Sequence, residues 1–127
     1  MSNKANRPTD GELEILRVLW NRGPSTVRQV HKTLAAHKRT SGNTTLKLMQ
    51  IMLEKGVLTR DDSQRPQVYQ ASLPEEQMQR RLMSDFLERV FGGSARKLVA
   101  AMTTTDITDA EMSEIQRLLG QYKGKKT

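Results

Sequence analysis

Two pairs of carboxylates stand close together in the sequence, Glu12 with Glu14 and Asp61 with Asp62. Such pairs can act as general acid and general base. Neither pair has a nucleophile or a metal-binding neighbour in sequence, and helical residues two apart do not face each other. There is no cysteine, and the only histidines are His31 and His37. That rules out thiolate chemistry and disulfides and leaves a structural zinc site without a ligand set. We expect no catalysis, no metal and no cofactor. A second group of residues points elsewhere: Arg28, Lys32, Ser41, Asn43, Thr44, Thr45, Lys47, Gln50, Arg60 and Arg65. An asparagine can bond an adenine edge, and a threonine can bond phosphate or meet a thymine methyl. Lysine and arginine hold phosphates.

Charge agrees with that second group. The 127 residues carry a net charge of +7, with a pI near 10.1. Residues 1–70 hold 12 Lys/Arg against 6 Asp/Glu, whereas residues 71–127 hold 9 against 8. A basic surplus confined to one half suggests a polyanionic partner for that half. No apolar run approaches the ~20 residues of a membrane span. The polar N-terminus lacks the apolar centre of a signal peptide. A cytoplasmic protein without membrane insertion is expected.

The elements that must position these residues can be read from caps and periodicity. Thr9 and Glu12 have the spacing of a capping box. Leu13, Ile15, Leu16, Leu19 and Trp20 follow at helical spacing, and Gly23-Pro24 stops the helix. Ser25 is the expected cap of a second helix with Val27, Val30 and Leu34 inside. Residues 36–40 form a basic turn containing Lys38 and Arg39. Ser41 caps a third helix that Gly56 ends in a left-handed conformation. Its apolar face is Thr45, Leu48, Met49, Met52 and Leu53; its other face offers Asn43, Thr44, Lys47 and Gln50. Asn43 and Thr44 can equally serve as caps. Residues 57–60 and 67–71 then read as a hairpin around the turn formers of residues 61–66. Three helices and a hairpin make a winged helix-turn-helix with its own core, from Leu13, Leu16, Leu19, Val27, Val30, Leu34, Leu48, Met52 and Val68. In that layout Asn43, Thr44 and Lys47 read bases, while Arg28, Lys32, Arg60 and Arg65 hold phosphates. Asp61 and Asp62 would repel phosphate and are expected on the side of the wing away from DNA.

The rest of the chain has a different task. Ser72 to Glu75 is a further capping box with Pro74 early in the helix. Met78, Leu82, Phe86 and Val90 recur every four residues, with Met83, Leu87 and Phe91 beside them, up to Gly92-Gly93. A short apolar segment holds Leu98, Val99 and Met102, and Thr103 to Thr105 reads as a break. Thr108 to Glu111 caps a last helix with Met112, Ile115, Leu118 and Leu119, and residues 123–127 read as a frayed, basic tail. These stripes are too wide for helices left in water. We expect Met78, Leu82, Phe86, Leu87, Val90, Phe91, Leu98, Met112, Ile115 and Leu119 to bury against a second copy. The expected fold is mainly α with a small β-hairpin: residues 1–71 a winged-helix domain, residues 72–127 a helical dimerisation domain. A winged-helix protein-interaction module that does not touch DNA is the alternative. Its affinity for duplex DNA would lack a steep salt dependence.

The sequence resembles the BlaI/MecI family of penicillinase and methicillin-resistance repressors. The resemblance is carried by residues 9–20 (TDGELEILRVLW), 23–30 (GPSTVRQV), 43–58 (NTTLKLMQIMLEKGVL) and 65–71 (RPQVYQA), and continues more weakly through residues 89–94 and 97–99. It implies a winged-helix DNA-binding domain, a helical dimerisation domain and repression from a palindromic double-stranded operator. It also implies a membrane sensor metalloprotease that triggers cleavage in the dimerisation domain. By position that bond falls near Ala101-Met102, where antibiotic-resistance members carry Asn-Phe. Copper-responsive members use C-terminal cysteines, which this chain lacks. Thr45 stands where a branched aliphatic is usual in the family, and Ile51 where arginine often occurs.

Overall fold

Thr9 opens the first helix as its spacing requires. The Glu12 amide donates to Thr9 Oγ1 at 3.3 Å, and Thr9 N donates back to Glu12 Oε1 at 3.0 Å. The computed structural model describes residues 7–103 and 107–125. Helix α1 spans Asp10–Arg22, α2 Val27–Ala35 and α3 Gly42–Lys55. Strand β1, Leu58–Asp61, pairs antiparallel with β2, Val68–Ala71, so that Leu58 faces Ala71 and Asp61 faces Val68. Helix α4 spans Glu75–Phe91, α5 Ala95–Met102 and α6 Asp109–Lys125. This is a winged helix followed by a helical C-terminal region.

The first compact unit runs to Met83, beyond the expected boundary at residue 71. Two contacts draw the start of α4 into it. The Trp20 indole N–H donates to Leu73 O at 3.0 Å, and Met78 is buried in the core. Met78 therefore leaves the set of expected dimer residues, and Leu82 packs half-buried against the same core. That core is built from Ile15, Leu16, Val18, Leu19, Val30, Met49, Met52, Val57, Leu58 and Tyr69. The inward side chain of β2 is Tyr69 rather than Val68, because neighbours on a strand point to opposite faces.

Two caps differ from expectation. The N-cap of α2 is Thr26, in a capping box with Gln29. Ser25 is buried instead and exchanges both main-chain bonds with Tyr69, at 2.9 and 2.8 Å. It thus adds a one-residue rung to the hairpin and ties the entry of α2 to the sheet. Helix α4 starts after Pro74, whose carbonyl accepts from Met78 N at 3.1 Å. Pro74 is thus at the cap, not inside the first turn.

The second unit begins at Ser84. Gly92, at φ 59°, ends α4, and Gly93 N reaches back to Leu87 O at 3.0 Å, which closes the last turn. Ser94 Oγ caps α5 and Thr108 Oγ1 caps α6, each accepting at 3.1 Å. The rings of Phe86 and Phe91 meet edge-on at 5.8 Å. Among the described residues, none after Met78 is buried. The expected break at Thr104 and Thr105 lies outside the described residues, as do Lys126 and Thr127 of the expected tail, while the helical backbone of α6 continues through Lys125.

Candidate nucleic-acid interface

Helix α3 is the element that presents the candidate base-reading residues. Ser41 Oγ accepts from Thr44 N at 3.1 Å and lies 2.8 Å from Thr44 Oγ1. Both hydroxyls are committed to the cap. Thr45, Met49 and Met52 turn inward, and Asn43, Lys47 and Gln50 lie exposed on the opposite face. The latter three make no side-chain hydrogen bond with any described residue, so their bonding capacity is open to a partner. Gly56, at φ 83°, ends the helix in the left-handed region.

Thr45 does not belong to this face. It is 1 % exposed, and its hydroxyl donates to Ser41 O at 3.4 Å and faces His31 Nδ1 at the same distance. A buried hydroxyl needs such partners, and His31 supplies one from α2. In the sequence His31 figures only as one of two histidines, too few for a zinc site. Its role depends on a contact fourteen residues away, which periodicity does not reveal. Leu46 sits one residue off the apolar stripe and is 38 % exposed.

Arg28 and Lys32 are exposed one turn apart on α2, where they can approach phosphates. Lys38, in the following turn, is paired with Glu14 at 2.7 Å. The wing differs from expectation. Arg60 Nε donates to Asp62 Oδ1 at 2.5 Å. Its bonds to Tyr69 and Asp62 raise the guanidinium pKa further. Arg65 donates through one nitrogen to Asp62 O at 2.6 Å and Gln64 O at 3.0 Å. Asp61 accepts from the Ser63 hydroxyl, Gln64 Nε2 and the Ser63 amide, which hold its carboxyl down at about 2. The two aspartates thus organise the wing turn, and both arginines are already engaged rather than free.

In the second unit none of the remaining expected dimer residues is buried. Phe86, Val90 and Leu119 are exposed, together with Val99 and Leu118; Leu87, Phe91, Leu98, Met112 and Ile115 are only half-buried. Ala101 and Met102 form the end of α5.

The penicillinase repressor family model matches residues 8–121, which takes in the winged helix and the C-terminal helices alike. The chain belongs to the penicillinase repressor family. It is 24 % identical over 119 residues to the penicillinase repressor of Bacillus licheniformis, covering 93 % of each chain. It is 19 % identical over 126 residues to the penicillinase repressor of Staphylococcus aureus, covering 98 % of this chain and 100 % of the relative. Membership of the penicillinase repressor family places the chain among transcriptional repressors. No helix of the described residues is long and apolar enough to cross a membrane.

Proposed function

We propose that this repressor binds a palindromic duplex operator as a homodimer, with α3 of each copy in the major groove. The observation that carries the reading is the exposed face of α3, where Asn43, Lys47 and Gln50 stand unengaged on a winged-helix scaffold. The major groove admits an α-helix and shows each base pair as a distinct donor and acceptor pattern. Asn43 and Lys47 read bases, with Thr44 at the groove entrance; Arg28 and Lys32 hold phosphates. Arg65 and Arg60 reach the backbone only by exchanging their present partners. The uncovered apolar side chains of the second unit favour a second copy as their cover, since stripes of this width are not left in water. A twofold dimer would present two recognition helices to two half-sites of matching symmetry.

The test is a gel shift on duplex fragments from the protein's own promoter region, at two salt concentrations, with random duplex as competitor. Tight, salt-sensitive binding that survives the competitor is expected. Weak binding lost equally to random duplex would leave a basic surface only, and a protein-interaction role would replace this reading.

A further inference from the structure

Leu46 is the residue on α3 that neither the cap nor the core accounts for. It is 38 % exposed, and among the described residues of the first unit it shares that status among large hydrophobics only with Met83. Helical spacing puts it beside Asn43, three residues before, and Gln50, four residues after. It is the fifth residue of the helix, about 6 Å along the axis from Gly42. It therefore sits in the N-terminal half, the part of a recognition helix that reaches base edges.

Resting on the DNA-binding reading above, we propose that Leu46 is a specificity-determining residue that packs against the C5-methyl of a thymine in each half-site. The floor of the major groove is made of donors and acceptors, with one apolar group among them, the thymine methyl. An aliphatic side chain pressed onto any other base edge would strip water from polar atoms without replacing their bonds. Leu46 thus favours one base by contact and disfavours the others by desolvation. Asn43 and Gln50, on either side, supply the polar contacts to neighbouring base edges.

The experiment is a uracil scan. Each thymine of the footprinted operator half-sites is replaced singly by uracil, which removes the methyl and leaves every hydrogen-bonding group in place. The full-length protein is expected to lose about fourfold in affinity at one thymine per half-site, the value of burying one methyl group. Leu46→Ala is expected to bind the thymine and uracil versions of that position equally. The proposal is overturned if no single uracil weakens binding, or if Leu46→Ala keeps the full penalty. The scan on the unmodified protein does not depend on how the variant folds. Failure of the DNA-binding reading itself would be visible earlier, as loss of the unmodified operator complex to random duplex.

Discussion

Lys47 stands with Asn43 at the centre of the open face of α3, and truncating either removes contacts without disturbing the core. We expect Lys47→Ala or Asn43→Ala to cost about 1–3 kcal/mol of operator affinity and to relax preference at one base position. Titration of operator variants measures both. Unchanged affinity and preference would mean that the helix is turned otherwise. Thr45→Val should behave differently, because Thr45 faces His31 and not the groove. Its effect is expected in the melting temperature, with base preference unchanged. In the wing, Asp62→Asn removes the anion that holds Arg60. We expect tighter binding to random duplex and a salt dependence steeper by about one phosphate contact. The Arg60–Asp62 pair was not legible from strand alternation, because Asp62 lies one residue past β1, in the turn. The burial of Thr45 was legible from helical spacing, which sets it on the apolar face with Leu48, Met49 and Met52; what spacing did not decide was its role, because a threonine hydroxyl suits a groove face as well as a core edge.

At the scale of elements, the capping box of α1 also joins two helices. Glu12 is 2 % exposed and takes two bonds from Lys55 Nζ, at 2.9 and 3.1 Å, near the end of α3. The box was legible from four residues; its partner was not, because Lys55 lies forty-three residues on. Glu12→Ala breaks the ion pair and the cap together. A loss of about 2–4 kcal/mol is expected in denaturant unfolding, and Thr9→Ala, which removes the cap alone, should cost about 1 kcal/mol. The wing turn carries its own pH signature. The carboxyl of Asp61 is lowered from 3.8 to about 2, so its bonds stabilise the turn above pH 3.8 and are lost as pH falls through about 2. The amide resonance of Ser63 should therefore titrate near pH 2. A midpoint near 3.8 would mean that the turn is not organised by this carboxylate.

At the scale of the molecule, helix order and the hairpin were readable from caps, glycines and a change of period. The extent of the first unit was not. Met78 lies in the same four-residue stripe as Phe86 and Val90, and periodicity gives no sign that one end of a continuous helix serves a different core. The uncovered residues further along are the proposed dimer surface. Leu119→Glu places a charge among them. Sedimentation should show a shift toward monomer, with operator affinity falling and the melting of the first unit unchanged, because two linked half-site contacts become one. A dimer that survived the charge would move the interface off α6.

Trp20 is the sole tryptophan of the chain, half-buried against the first core with its N–H held by Leu73 O. With excitation selective for tryptophan over Tyr69 and Tyr122, all emission therefore comes from the seam between α1 and the approach to α4. An optical melt followed at that wavelength reports the opening of this seam. A transition seen by circular dichroism without a matching emission change therefore leaves this seam closed.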